Sequence, residues 1–345
     1  MKILAITTIG GFGTVNSRVG ALRRLGHDVD VINPRHALPP FLLADYWRFH
    51  TAAFGFAGIV KRHVLRRMGE SSYDLVFVDI GDLVGAPLVR ALKRKAKLVV
   101  CFNQDNPFAG RDGHRWRLFL KALPLYDLLA FPRDSSVEAA RQHGAQHVIR
   151  IFHPADELTA RPIALSDEDR RKFGSEVAFI GSWMPERGPF MKRLLELGVP
   201  LRIFGPRWHK APEIEFLREH LTPGPLEGDD YVKAIAASKI SLALLSKGNE
   251  DLHTTRSTEI PAIGSLLCGE RTSDHLEMYV EDEEAVFFDT ADECARKCFA
   301  LLSDPERLGR IAAAGQRRAH RNGTFNETQL NIILQSAQEL IATGN

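Results

Sequence analysis

The sequence predicts an α/β protein made of two doubly wound parallel sheets, each covered by helices on both faces. Short apolar runs alternate with segments of helical spacing through both halves of the chain, and a polar stretch at 154–169 separates the halves. Residues 1–155 hold 22 Lys and Arg against 12 Asp and Glu, a net charge of +10, whereas 156–345 hold 23 against 31, a net charge of −8. A chain of 345 residues is long enough for roughly two domains. We therefore expect a first domain at 1–155, a second at 156–325, and a terminal helix at 326–345.

In the first half, apolar runs predict six strands, and the helical spacing between them predicts three helices. The strands are expected at 3–8, 28–32, 75–78, 98–102, 128–131 and 148–151. The helices are expected at 15–25, 86–94 and 136–143, the last of them ending at Gly144, a natural C-cap. Between the second and third strands, residues 34–70 carry two prolines followed by aromatic and basic clusters, which indicates an extended insertion and then a helix.

The second half repeats the alternation, which indicates a second sheet of the same kind. The strands are expected at 177–180, 201–204, 240–244, 265–268 and 285–287. The helices are expected at 190–197, 231–237, 291–302 and 305–318, with a short one beginning at Glu259. The tail has helical spacing over 326–342 and no strand after it.

Composition excludes several classes of protein. No apolar run approaches the roughly 18 residues of a membrane span, and the short apolar start runs into Gly10, so it predicts a first strand and not a signal peptide. Cytoplasm is the expected compartment, and no nucleic-acid partner is expected. The histidines and the four cysteines show no metal-ligand spacing, and no Asp-x-Asp motif occurs, so neither a metal nor a cofactor is expected. The cysteines are expected to be reduced thiols, and Cys294 and Cys298 to pack on one helix face.

The segment 251–264 is the strongest candidate site. Two acids, Asp251 and Glu259, lie eight positions apart, and a short predicted helix begins at the second. Hydroxyls and a guanidinium stand between them, on Thr254, Thr255 and Arg256. Hydroxyls and the N–H groups of a helix N-terminus can hold a diphosphate, the guanidinium can neutralise it, and Glu259 can accept hydrogen bonds from ribose hydroxyls. The alternative is a polar loop in which a hydroxyl caps the helix.

Two other strand ends in the second half are also polar. Gly181 follows the strand at 177–180, with Arg187 six positions later, and Gly205 follows the strand at 201–204. A guanidinium can bridge two phosphate oxygens, although Arg187 could equally be a surface residue that begins a helix. Because ligands bind at the carboxyl ends of strands in open α/β sheets, we expect these ends to line one cleft.

A glycine-rich turn, Gly10-Gly11-Phe12-Gly13, follows the first strand, where a dinucleotide fold places its phosphate loop. The nicotinamide fingerprint is incomplete, since Asn16 replaces the last glycine and the second strand ends at Asn33 instead of an acid. Gly11 and Gly13 are therefore assigned to the approach of a donor or acceptor phosphate, with a plain tight turn as the alternative.

Asp105 is the candidate catalytic residue of the first half. It follows the strand at 98–102, where a carboxylate could act as a general base or orient a hydroxyl of the acceptor. The alternative is an Asx turn before Pro107.

The second half resembles the donor domain of GT-B glycosyltransferases, most closely the spore-maturation-protein type, which is related to glycosyltransferase family 4. The run Gly181-Ser-Trp-Met-Pro-Glu-Arg187-Gly resembles the family's Gly-Arg-Leu-x-x-Glu-Lys-Gly segment, with Arg187 in place of the phosphate-binding Lys and Ser182 in place of the Arg. The run from Thr255 to Ser265 resembles the second half of the Glu-x7-Glu signature, which makes Glu259 the expected ribose ligand and Asp251 the first acid.

The resemblance implies a GT-B architecture of two Rossmann-like domains that face each other across a cleft. It implies a nucleotide-sugar donor on the second domain and a glycan, lipid or protein acceptor on the first. The reaction would be metal-independent and retaining, and Asp105 and Asp251 are the catalytic candidates. A sugar-nucleotide epimerase of the same fold and a degenerate sugar-nucleotide-binding protein are the alternatives.

The basic first domain favours an anionic acceptor or peripheral contact with the inner face of a membrane. The segments 47–67 and 111–121 combine cations with aromatic rings that could form such a surface. The alternative is that Phe54, Phe56 and Trp116 are core residues and the cations a solvated face.

Overall fold

The computed structural model describes residues 1–8, 14–38, 51 and 55–343. The chain divides into two compact units, unit 1 comprising Met1–His153 with Asn326–Asn345, and unit 2 comprising Pro154–Phe325. Gly11 and Gly13, and much of the predicted insertion at 34–70, lie outside the described residues.

Unit 1 contains a six-stranded parallel sheet. Its strands are β1 Lys2–Ile6, β2 Asp28–Ile32, β3 Tyr73–Asp79, β4 Ala96–Phe102, β5 Leu128–Phe131 and β6 Val148–Arg150. They lie in the order β2-β1-β3-β4-β5-β6, and every pairing is parallel. The direction of winding therefore reverses between β1 and β3, where ligand crevices form in such sheets.

Helices cover both faces of this sheet. They are α1 Thr14–Arg24, α2 Ala57–Met68, α3 Ala86–Leu92, α4 Arg117–Ala122, α5 Asp134–Gln142 and the last helix of the chain, α14 Asn326–Thr343. Successive residues of β1 alternate between two buried clusters, because side chains along a strand point to opposite faces. Leu4 packs in the cluster that includes α2 and α3, and Ile3 in the cluster that includes Leu330 and Leu334 of α14. The terminal helix is thus part of the core of unit 1.

Unit 2 contains a second six-stranded parallel sheet. Its strands are β7 Ser175–Ile180, β8 Leu201–Gly205, β9 Leu221–Pro223, β10 Ser238–Ala243, β11 Leu266–Glu270 and β12 Val286–Phe288. They lie in the order β12-β11-β10-β7-β8-β9. Counted from β7, this is the order of the dinucleotide-binding fold, with the reversal between β7 and β10.

The helices of unit 2 surround this sheet. They are α6 Asp167–Phe173, α7 Arg187–Glu196, α8 Ile214–Leu217, α9 Asp229–Ala236, α10 Arg256–Ile263, α11 Ser273–Met278, α12 Ala291–Leu302 and α13 Pro305–Arg321. Side chains from β7, β10 and β11 join those of α7 and α12 in a single buried cluster. Unit 2 therefore has a hydrophobic core of its own.

The structure corrects the prediction at two places. The predicted helix that begins at Glu259 begins three residues earlier, at Arg256, so the cation lies in the first turn and the acid one turn further on. The polar stretch at 154–169 ends inside α6, whose N-cap Ser166 and Asp169 form a reciprocal capping box.

The aromatic residues expected on a basic surface are partly in the core. Trp116 is 2% exposed, and its indole N–H donates to the Asp112 carboxylate over 3.1 Å. Phe56 packs against the same buried cluster, and Phe54 lies outside the described residues. For Trp116 and Phe56, the alternative of core packing is correct. Among the described residues, no helix combines the length and the apolar character that crossing a membrane requires.

Candidate functional site

Arg187 links two strand ends at the switch point of the unit 2 sheet. It is the first residue of α7 and is 4% exposed. Its Nη1 donates to the carbonyl of Ser182, which follows β7, over 2.8 Å, and its Nη2 donates to the carbonyl of Leu244, which follows β10, over 2.9 Å. The guanidinium therefore lies where a dinucleotide fold binds its ligand.

The charge of a second cation, Arg256, acts on Arg187. Burial and, after it, the positive charge of Arg256 lower the pKa of Arg187 to about 10, although Glu186, Glu270 and Asp251 act in the opposite direction. Two arginines that repel each other in a partly buried place are stabilised when an anion binds between or beside them. The structure thus brings together Arg187, Arg256 and Asp251, which the sequence places up to 69 positions apart.

Both arginines open a helix. Arg187 is the first residue of α7 and Arg256 the first residue of α10. Within the described chain, neither Glu186 nor Thr255, the residues at the two N-cap positions, makes a side-chain capping bond. Two helix N-termini, each carrying a positive partial charge and a guanidinium, can receive the oxygens of a diphosphate.

Glu259 lies one turn into α10 and is half-buried. Its Oε2 accepts a hydrogen bond of 2.6 Å from the hydroxyl of Tyr231 on α9. Burial raises the pKa of the Glu259 carboxyl, and this outweighs the opposing effects of the Tyr231 hydrogen bond and the Arg256 charge. The carboxylate is therefore poorly solvated, and additional hydrogen bonds from ligand hydroxyls would stabilise it. Tyr231 was not predicted as a site residue, because nothing in the sequence pairs it with an acid 28 positions away.

The loop before α10 holds the other predicted residues. Thr254 and Thr255 are half-buried, and the backbone N–H of Thr254 donates to Ser257 Oγ over 3.0 Å. The buried Oγ1 of Thr254 has no hydrogen-bond partner within the described part of the chain. Asp251 is half-buried, and its N–H donates to the carbonyl of Ser246 over 3.2 Å. Thr254 thus has a hydroxyl to offer to a ligand.

A buried histidine supports the start of α10 from behind. His275 Nδ1 lies 2.6 Å from the carbonyl of Glu270, which can only accept, so Nδ1 carries the proton and Nε2 accepts from Ser257 Oγ at 2.7 Å. Burial lowers the pKa of His275 to about 4, which keeps the ring neutral. Tyr279 donates to the carbonyl of Ser257 over 2.7 Å. These bonds fix the turn that carries Arg256 and Glu259.

Gly181 and Gly205 touch each other at the ends of β7 and β8. A Cβ on Gly205 would lie 2.3 Å from the Gly181 carbonyl oxygen, and Gly205 has a φ of +137°. Trp208 donates its indole N–H to that same carbonyl over 3.0 Å. Close packing alone therefore requires a glycine at Gly205, and contact of either glycine with a ligand stays a prediction.

Asp105 belongs to an ion-pair cluster in unit 1. Arg115 lies 3.2 Å from Asp105, 3.2 Å from Asp112 and 3.4 Å from Asp82. The backbone N–H of Asp105 donates to Asn103 Oδ1 over 3.0 Å, an Asx-type bond. The cluster holds the half-buried Asp105 carboxylate in place, and a role as base or as an acceptor-orienting group stays a prediction.

A buried ion pair occupies the switch point of unit 1. Arg18 of α1 pairs with Asp79 at the end of β3 through two bonds of 3.0 Å, and both side chains are almost fully buried. Thr7 Oγ1 donates to the same carboxylate over 3.3 Å. Sequence reasoning did not pair these residues, because 61 positions separate Arg18 from Asp79.

Three cysteines form the thiol cluster of unit 2. The sulfurs of Cys268, Cys294 and Cys298 lie within 4.8 Å of one another, and all three side chains are fully buried. They could serve as metal ligands only as thiolates, yet they lie in the apolar cluster of β10, β11 and α12. Hydrogen bonds with the neighbouring sulfurs and then burial raise the pKa of Cys268 well above its ordinary value, which favours the protonated form of that thiol.

Comparison with known proteins supports the architecture. A family model described as glycosyl transferase-like matches residues 187–333, from Arg187 into α14. No curated protein matches the chain.

Solved structures match the whole chain at low identity. Sucrose-phosphate synthase from Thermosynechococcus elongatus is 12% identical, with a TM-score of 0.72 over 99% of this chain and 100% of that one. HepE of Anabaena, solved with UDP and glucose, is 13% identical, with a TM-score of 0.68 over 99% and 100%. The α,α-trehalose 6-phosphate synthase of Burkholderia multivorans is 11% identical, with a TM-score of 0.65 over 100% of both chains. The chain therefore has the GT-B fold, as predicted.

Proposed function

We propose that this protein is a glycosyltransferase that binds a nucleotide sugar on unit 2 and transfers the sugar to a glycan, lipid or protein acceptor. The observation that carries the proposal is the pair Arg187 and Arg256. Each opens a helix at the carboxyl edge of a sheet with dinucleotide-fold strand order, and their charges repel each other. A diphosphate is the anion that suits two helix N-termini and two guanidinium groups.

Glu259 supports the nucleotide part of the assignment. Its carboxylate lies on α10, the helix that Arg256 opens, and burial disfavours its charge. Ribose hydroxyls would supply hydrogen bonds that this charge lacks in the free protein. The match of residues 187–333 to a glycosyl transferase-like model and the GT-B fold favour the same reading. Because HepE was solved with UDP and with UDP-glucose, UDP sugars are the first donors to test.

In the proposed mechanism, two arginines stabilise the leaving diphosphate, a task that a metal ion performs in other enzymes. Arg187 and Arg256 would stabilise the negative charge that develops on the departing diphosphate, and α7 and α10 would add their N-terminal partial charges. The proposed outcome at the anomeric carbon is retention, which the resemblance of the sequence to glycosyltransferase family 4 favours. Asp251 is the proposed acid on the donor side, and its charge acts on Arg187.

Calorimetry with UDP, GDP, TDP and ADP tests the donor assignment. We expect one nucleoside diphosphate to bind wild type, and Glu259→Ala to weaken that binding by about 10- to 150-fold, the effect of losing about 1.5–3 kcal/mol from bonds to a charged group. Glu283→Ala, a change at an exposed acid of the same unit, is the control. Unchanged affinity in a folded Glu259 variant would overturn the ribose assignment.

Turnover measured in excess chelator tests whether Arg187 and Arg256 hold the diphosphate without a metal ion. We expect full activity with chelator and a loss in Arg256→Ala that the exposed control Arg317→Ala does not share. A loss of turnover with chelator would refute the proposal that the two arginines act without a metal ion. Incubation with donor alone separates the alternatives: conversion of the free nucleotide sugar to an isomer identifies an epimerase, and binding without any conversion in the presence of acceptors identifies a binding protein.

A further inference from the structure

The helix α2 carries an unusual concentration of positive charge. Its twelve residues include four Lys and Arg and one His, and no acid. Val60, Val64 and Met68 recur at intervals of four and are buried against the core of unit 1. The opposite side of the helix therefore faces solvent.

The solvent side of α2 is defined by Ile59, Arg62 and Arg66, which recur at intervals of three and four, and we call it the cationic face. Both arginines are exposed, and Ile59 is 45% exposed although it is apolar. Lys61 and Arg67 flank this face. An apolar side chain thus lies among cations on the surface.

These cations are not neutralised by the described parts of the chain. Within residues 1–8, 14–38, 51 and 55–343, no Asp or Glu forms an ion pair with Lys61, Arg62, Arg66 or Arg67. Some cations elsewhere in unit 1 are paired, since Lys93 pairs with Asp127 at 2.6 Å and Lys97 with Asp74 at 2.8 Å. The pKa of His63 is lowered by burial and then by Arg66 and Arg67, so the positive field reaches neighbouring groups.

Part of the second basic segment of the domain, at 111–121, is neutralised or buried. Arg111 pairs with Asp112 at 2.8 Å, Arg115 faces three carboxylates, and Trp116 is buried. Arg117 and Lys121 of this segment are exposed as well, whereas α2 carries three exposed arginines, Arg62, Arg66 and Arg67, on one helix.

We propose that the cationic face of α2 binds anionic lipid headgroups at a membrane surface. Phosphate groups at that surface match Arg62 and Arg66, and the hydrocarbon beneath them accommodates Ile59. A nucleic-acid backbone would match the charges but would leave Ile59 without an apolar partner. The proposal does not depend on the nucleotide site of unit 2, but it places the acceptor of the proposed reaction at a lipid surface.

Vesicle flotation at low salt tests the proposal. We expect wild type to float with phosphatidylcholine vesicles that contain phosphatidylglycerol, not to float with pure phosphatidylcholine, and to be released by high salt. Arg62→Gln with Arg66→Gln should weaken binding about thirtyfold, since each cation near an anionic surface contributes about a factor of five. Arg170→Gln with Arg171→Gln, at two exposed cations of α6 in unit 2, removes the same charge and should change little.

A third variant separates lipid from soluble polyanions. Ile59→Ser keeps every charge and should weaken vesicle binding several-fold while binding to heparin stays unchanged. The lipid proposal is overturned if wild type does not float, if the α2 and α6 double variants behave alike, or if Ile59→Ser has no effect on vesicles. Circular dichroism and thermal unfolding of every variant report folding, and nucleoside diphosphate affinity keeps the result separate from the assignment of unit 2.

Discussion

Glu259 illustrates how a binding residue can oppose stability. Burial raises the pKa of its carboxyl, so the ligand-free protein is destabilised when the group is charged, above that raised pKa. Glu259→Gln removes the charge and leaves an oxygen that can accept from Tyr231. We expect a higher melting temperature for the ligand-free variant at neutral pH together with weaker nucleotide binding.

Thermal unfolding with and without the bound nucleoside diphosphate measures both effects. Glu283→Gln, a change at an exposed acid, should leave both values at those of wild type. If the Glu259→Gln variant is less stable than wild type at neutral pH, the attraction between Glu259 and Arg256 outweighs the cost of burial.

The two arginines of the site should respond differently to substitution. Arg187 donates two hydrogen bonds to backbone carbonyls, so Arg187→Ala leaves buried acceptors unsatisfied and should lower the free energy of unfolding by about 1–3 kcal/mol. Arg256→Ala removes a repulsive charge from Arg187 and should destabilise far less. Urea unfolding of both variants, with Arg317→Ala as the control, measures the difference. Equal losses would show that Arg256 is as structural as Arg187.

At the scale of elements, α10 depends on the buried His275. The folded-state pKa of about 4 lies below the ordinary value of 6.5, so between these values the unfolded chain binds a proton that the folded chain does not. Stability therefore falls as pH falls from 6.5 to 4, by about 3 kcal/mol in total for this group. The contribution is fully present above pH 6.5.

Unfolding measured from neutral pH to pH 4 tests this effect. His275→Gln is expected to be less stable at neutral pH, because it disturbs two buried hydrogen bonds, but to lose less stability on acidification than wild type. His209→Gln, at an exposed histidine, should keep the wild-type slope. The same slope in wild type and the His275 variant would refute the role of this ring.

The sequence predicted elements where the pattern was long or strongly apolar. Strands β2 and β5 and helix α12 have the predicted bounds, because polar–apolar alternation identifies β2, a continuous buried run identifies β5, and helical spacing identifies α12. The short α8, α11 and β9 were not predicted, since three to six residues carry too little periodicity.

The candidate site was predictable only where its residues are close in sequence. Arg256 and Glu259 lie in one segment, and Arg187 follows a glycine-marked strand end. Tyr231 and His275 come from other elements, and only the folded chain shows that they contact Glu259 and Ser257. The pairing of Asp105 with Arg115 was missed for the same reason, ten positions apart across a loop.

At the scale of the whole molecule, helix α14 is joined to unit 2 in sequence but packs in the core of unit 1. Leu330 and Leu334 of α14 are buried in the cluster that includes β1, β3 and β4, so unit 1 is completed only by residues beyond unit 2. Unit 2 has its own buried cluster around β7, β10 and β11. Separate cores predict separate thermal transitions, one for each unit.

Calorimetry of the full chain tests this division. Leu334→Ala should cost about 2–5 kcal/mol and lower the transition of unit 1, because the change opens a cavity in that core. The bound nucleoside diphosphate should raise the other transition, since a ligand stabilises the fold that binds it. Gln335→Ala, on the exposed side of the same helix, should move neither transition. If Leu334→Ala and the nucleotide shift one common transition, the two cores unfold together, and the stability of the nucleotide site depends on the end of the chain.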